Sequence, residues 1–156
     1  MTPRQSQELE KLFQGLAEFA LQVLGTDLYP NGFYVYHPRA RSCSVCGLKP
    51  FALTILHQSS STEKDFDGES GECSQCGHRE TIFTCACVGW TGGEAGMKPL
   101  PFVRSEQPAC TCGHRFFWVL ICDRLESEKA GGMFDQSVAV GECDRCGRRR
   151  AFALDD

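Results

Sequence analysis

The feature that most limits what this chain can fold into is a cysteine pattern that occurs twice. Gly71-Glu72-Cys73-Ser74-Gln75-Cys76-Gly77-His78-Arg79 returns as Gly141-Glu142-Cys143-Asp144-Arg145-Cys146-Gly147-Arg148-Arg149. The segments upstream also match. Cys43-Ser44-Val45-Cys46-Gly47 precedes the apolar run 50–56, and Cys110-Thr111-Cys112-Gly113 precedes the apolar run 116–122. Each unit is too short to bury a large apolar interior, and chains of that size need metals or disulfides to hold them. The cysteines must therefore do structural work, and the question is through which bond.

Zinc and disulfides are the two answers. The first 24 residues interrupt their apolar positions with Arg4, Glu8, Glu10, Lys11 and Glu18, which is unlike a secretory signal. No stretch is apolar enough for a bilayer span, so a membrane role is not expected. A reducing, cytoplasmic setting is then the expectation, and close cysteine pairs in such a setting favour metal. Two thiolates separated by two residues reach one tetrahedral ion from a single tight turn. Gly47, Gly77, Gly113 and Gly147 each follow the second cysteine of a pair. A glycine there lets the backbone turn with positive φ and frees amides to hydrogen-bond the sulfurs.

The spacing groups Cys43, Cys46, Cys73 and Cys76 as one metal site and Cys110, Cys112, Cys143 and Cys146 as a second. Two structural zinc ions are expected. The second site departs from the pattern: one residue separates Cys110 from Cys112 where the other pairs have two, and His114 or Cys87 could replace Cys110. A full set of four thiolates leaves no open position for water, which argues against hydrolytic chemistry and against an enzyme. No nucleophile–histidine–acid set or phosphate-cradling glycine motif is visible.

With these four glycine-followed pairs, residues 43–84 and 110–154 resemble the zinc-ribbon superfamily. That resemblance implies cysteine knuckles carried on short hairpins of a small antiparallel sheet, and it implies no particular function. The same knuckles are also similar to those of rubredoxin, which holds iron. Rubredoxin typically has proline after the first cysteine of its second knuckle, where this chain has Ser74 and Asp144.

The expected fold is small α+β and mostly antiparallel β. Residues 1–26 read as an amphipathic helix, with Thr2 as cap, Pro3 at the first turn, Gln5 completing a capping box and Gly25 as stop. Its apolar stripe, including Leu9, Leu12, Phe13, Leu16, Ala20 and Leu24, is expected either to pack on the rest of the chain or to dock a partner. Residues 27–87 form the first repeat with a leading strand, Phe33 to His37, that Pro38 is expected to end. Residues 88–109, rich in glycine and proline, read as a linker or extended loop, and 110–156 as the second repeat. Polar inserts are expected at 58–69 and 123–132. Cys122, opposite Leu56 in the other repeat, reads as core, as do Phe116, Phe117 and Trp118. Cys85 and Cys87 would share one face of a strand.

Formal net charge is −4. Two four-thiolate zinc sites would bring it to roughly −8. That favours a protein-interaction module, an adaptor, regulatory subunit or immunity-type inhibitor, with a basic partner, which the acidic run from Glu63 to Glu72 could meet. The competing expectation is nucleic-acid binding through Arg145, Arg148, Arg149 and Arg150.

Overall fold

A computed structural model describes residues 2–25, 32–58, 68–84 and 102–155. Cys85 and Cys87, together with Glu63, Asp65 and Asp67, lie outside the described residues. Within them, one N-terminal helix is followed by an eight-stranded antiparallel sheet.

Helix α1 spans Pro3–Leu24. The Thr2 hydroxyl accepts from the Gln5 amide (3.2 Å) and the Gln5 side chain accepts from the Thr2 amide (2.9 Å), the reciprocal pair of a capping box. Gly25, at φ 82°, ends the helix and donates to the Leu21 carbonyl. Leu16, Ala20 and Leu24 are buried against Leu120, Cys122, Val138 and Val140. The apolar stripe thus packs on the chain's own sheet. Arg124 anchors the helix end. It donates to the Leu24 carbonyl, to the Gly25 carbonyl at 3.0 Å and to Gln136 at 3.1 Å, and its guanidinium lies over the Tyr34 ring.

The strands are β1 Tyr34–Ala40, β2 Phe51–Gln58, β3 Gly68–Cys73, β4 Arg79–Thr84, β5 Phe102–Glu106, β6 Phe116–Glu126, β7 Phe134–Cys143 and β8 Arg149–Asp155. The main path runs β4-β3-β2-β6-β7-β8. The two repeats have the same internal register. Phe51 faces Cys73 and Phe117 faces Cys143, Leu53 faces Gly71 and Val119 faces Gly141, and each third strand carries a bulge at the same place. The repeats meet where β2 pairs with β6, and there the equivalent residues Phe51 and Phe117 face each other. An approximate twofold relates the halves.

The leading strands are exchanged. β1 precedes the first repeat in sequence but pairs with β6 of the second, and β5 precedes the second but pairs with β2 of the first. Arg39, four residues before Cys43, faces Ile121; Glu106, four before Cys110, faces Ile55. The 102–106 strand falls inside the 88–109 segment that reads as linker or loop.

Three expectations change. Pro38 does not end β1, which continues to Ala40. Arg41 donates to the Val119 carbonyl, so by alternation the Pro38 nitrogen points away from β6, where a missing N–H breaks no ladder bond. The second polar insert is shorter than read, because β6 extends through Asp123 to Glu126 and a single-turn helix covers Glu128–Ala130. Charged residues can stay in this strand because β1 partners them: Arg39 pairs with Asp123, and Arg124 stacks on Tyr34. Finally, Glu69 is no part of a solvated acidic loop. It sits in β3 at 1% exposure.

One core lies between the repeats, on the face opposite α1, and draws on both: Phe51, Leu53, Ile82 and Phe83 from the first, Phe117, Val119, Ile121 and Ala139 from the second. Cys43, Cys73, Cys110 and Cys143 belong to the same cluster. Alternation in β6 explains the two faces. Phe117, Val119 and Ile121 enter this core, while Leu120 and Cys122 meet the helix. Phe116 and Trp118 are only half-buried.

Candidate metal centres

Each knuckle is a tight turn closed by the same backbone bonds. The amides of Gly47, Gly77, Gly113 and Gly147 donate to the carbonyls of Cys43, Cys73, Cys110 and Cys143 at 2.8–3.0 Å. All four glycines have φ between 75° and 94°, a conformation that a side chain would strain. The amides of Val45 and Gln75 donate to the sulfurs of Cys43 and Cys73, each at 3.4 Å. A further bond docks each second knuckle on its own repeat: Ser74 N–H donates to the Pro50 carbonyl and Asp144 N–H to the Phe116 carbonyl, both at 3.0 Å.

The turns gather the sulfurs in two sets of four, Cys43/Cys46/Cys73/Cys76 and Cys110/Cys112/Cys143/Cys146, with the sulfurs of each set within 4.8 Å of one another. The closest separations are 3.5 Å (Cys43–Cys76), 3.3 Å (Cys46–Cys73), 3.2 Å (Cys110–Cys146) and 3.6 Å (Cys112–Cys143). A zinc–sulfur bond of about 2.3 Å implies tetrahedral edges of about 3.8 Å. Either cluster could therefore hold a metal ion, and four sulfur donors suit zinc. The one-residue spacing does not displace Cys110, which is in the second cluster. His114 is outside it, with its Nε2 at 3.8 Å from Asp144 Oδ2.

The electrostatics show how these thiols depend on one another. Cys46 is pushed up to about 12, first by its contact with the Cys73 sulfur and then by burial. Burial opposes ionisation of Cys73, but the amides of Cys76 and Gln75 and the neighbouring sulfurs outweigh it and hold it at about 7. Cys110 is brought down to about 6 by the Cys112 amide and then by the Cys146 sulfur. At Cys146 the Arg148 amide favours the thiolate, but the other sulfurs and burial prevail at about 12. Packed this closely, the thiols that ionise early are helped by backbone amides and by neighbours that stay protonated. A dication would remove that competition and let all four ionise.

The repeats differ beside their clusters. In the first, the Ser44 hydroxyl (2.7 Å) and amide (3.4 Å) donate to Glu80 Oε2, and His78 Nε2 is 3.6 Å away. The Ser44 hydroxyl, more than any other group, keeps the Glu80 carboxyl below its usual range. In the second, Arg148 replaces His78 and Arg150 replaces Glu80 by the registers of β4 on β3 and β8 on β7, and Thr111, next after Cys110 as Ser44 is after Cys43, replaces Ser44. Arg148 donates to the Thr111 hydroxyl at 2.6 Å. Arg149 pairs with Glu142 at 2.8 Å. Arg145, also in the basic cluster, sits exposed at the knuckle tip.

Two features of the centres were missed by reading residues. Gly71 and Gly141, inside the repeated motif, exist for packing. A Cβ on Gly71 would lie 2.8 Å from Ile82, and one on Gly141 would lie 2.4 Å from the Phe152 ring. Their recurrence two residues before a cysteine was the available signal. The second is Glu69, whose carboxylate oxygens are buried without a hydrogen-bond partner. Burial raises it to about 8, and the attraction of Arg150 does not overcome that.

No family model matches the chain, and neither a characterised protein nor a solved structure is similar enough to count as a match.

Proposed function

We propose that this chain is a non-enzymatic zinc protein of the zinc-ribbon kind that works as a protein-interaction module: an adaptor, a regulatory subunit or an immunity-type inhibitor. Zinc takes the place of the apolar interior that each repeat lacks, and ions at both clusters set the geometry of one shared binding scaffold. The observation that carries this reading is the completeness of the two sulfur clusters. With four donors from the protein, an ion there has no position left for water or substrate, so its role is structural. A net charge of −4, made more negative by the thiolates, directs the module toward a basic partner in a reducing, cytoplasmic setting. Among the described residues no helix is long and apolar enough to cross a membrane.

Nucleic-acid binding is the competing reading, favoured by one observation: Arg148, Arg149 and Arg150 line a common concavity. Against it stand the global charge and the pairing of Arg149 with Glu142. Native mass spectrometry of the purified chain should show two zinc ions. The zinc-loaded chain should then retain a stoichiometric protein from lysate after nuclease treatment. Retention of nucleic acid alone, falling steeply with salt and lost when Arg145, Arg148, Arg149 and Arg150 are neutralised, rejects the interaction reading in favour of its rival.

A further inference from the structure

Because the repeats are built alike, each acts as a template for reading the other. Beside the first cluster sits an internal anion. The Glu80 carboxylate fills a cradle made by the hydroxyl and amide of Ser44, with the His78 imidazole alongside. Beside the second cluster the cradle is kept but its anion is gone. Thr111 supplies a hydroxyl, Arg148 stands where His78 stood, and a second cation, Arg150, takes the position of Glu80. What remains is a concavity of about 190 Å³ lined by Ala109, Cys110, Thr111, Phe117, Arg148, Arg150 and Arg149, the last paired with Glu142.

We propose that this second cradle binds a phosphate monoester from outside the chain, with the phosphate taking the place that the Glu80 carboxylate occupies in the first repeat.

Four physical points support it. The Thr111 oxygen already accepts from Arg148, so its own proton is free to be donated, as that of Ser44 is to Glu80. Arg150 is braced over the Phe152 ring at 4.8 Å, which restricts the guanidinium and lowers the entropy lost on binding. No acid lines the concavity, and the pull of Arg150 on the buried Glu69 does not overcome the burial that holds that carboxyl up at about 8. Two guanidinium cations match a dianionic phosphate better than a monoanionic carboxylate. The nearby thiolate cluster would repel an anion, but the first repeat tolerates a carboxylate at the same distance in sequence from its own cluster. The proposal does not rest on the protein-interaction reading and holds whichever macromolecule binds elsewhere.

The test is a titration of the ¹⁵N-labelled, zinc-loaded full chain with inorganic phosphate at pH 7.5. Sodium chloride keeps the ionic strength constant, and acetate is titrated in parallel. Saturable shifts are expected at the Thr111 amide and at the Nε–H groups of Arg148 and Arg150, with Ser44 unmoved and acetate at least tenfold weaker. Arg150→Glu, which supplies an internal carboxylate as the first repeat does, should weaken phosphate binding at least tenfold with zinc content unchanged. Arg148→Gln, which retains a donor for Thr111 without the charge, should do the same and guards against a folding defect in the first variant. Shifts that never saturate, an equal response to acetate, or undiminished binding by both variants would overturn the assignment.

Discussion

The two repeats share register, bulge positions and knuckle bonds, yet they are finished differently. The second has the helix: α1 covers Leu120, Cys122, Val138 and Val140. At the equivalent positions the first has Thr54, Leu56, Gly68 and Ser70, a smaller and more polar set outside the cluster that α1 covers. The first repeat also carries Glu69 where the second has Ala139 in the shared core. The comparison teaches that a scaffold closed by cysteine clusters tolerates unequal apolar support. One half leans on a helix, and the other leans on its neighbour through the common core.

The severest way to break this comparison is to remove a ligand from one side only. Cys73→Ser should cost the chain its first metal and, because Cys73 shares a core with Cys110 and Cys143, loosen the second repeat too. The expected loss is comparable with the whole stability of a domain, on the order of 5–15 kcal/mol. Native mass spectrometry together with amide exchange across β6 and β7 would report it. Intact protection there would show that the halves are independent.

Replacing Glu69 sharpens the comparison by making the halves alike. Its carboxyl titrates near 4.5 when unfolded and near 8 when folded. The folded protein therefore holds a proton that the unfolded chain releases, and stability falls as pH rises between those values. Glu69→Ala should gain on the parent by about 1.4 kcal/mol per pH unit between about pH 5.5 and 7, the gain levelling off through pH 8. Denaturant unfolding of the zinc-loaded chains across that range checks the slope, and parallel curves would place the carboxyl in solvent.

Next in size are the paired glycines. Gly141→Ala meets an aromatic ring and the Trp118 carbonyl, while Gly71→Ala meets mainly the bendable Ile82. A cost of about 3 kcal/mol is expected for the first and about 1 for the second. Equal melting temperatures for the two variants would contradict that ordering. The most confined effect concerns the helix anchor. Arg124→Met should cost about 2 kcal/mol, with faster exchange confined to α1, β6 and β7. Exchange spreading equally to β2 and β3 would mean that the helix supports both halves.

Much of this was legible in the residues, and what was not has a physical pattern. The four-cysteine groupings follow from local spacing, and the helix from its cap and its periodicity. Both are encoded within a few residues. The strand exchange is not, because β1 and β6 lie some eighty residues apart in the chain and nothing in Tyr34–Ala40 states which partner it takes. Pro38 misled because the rule that proline ends strands holds for ladder-facing positions, and facing depends on register. Glu69 misled because acidic neighbours in sequence suggested solvent. It lies in a central strand, between β2 and β4, at the position where the second repeat puts Ala139 into the shared core.

The crossing of leading strands also sets an order of events during synthesis. All four sulfurs of the first cluster have been made once residue 76 is added, so an ion can be captured early. β1, however, has no strand to pair with until β6, ending at Glu126, leaves the ribosome. Through that interval the nascent chain holds a closed knuckle beside an open strand. A stall or a cut between the repeats would leave a fragment with one complete cysteine cluster and an unpaired strand.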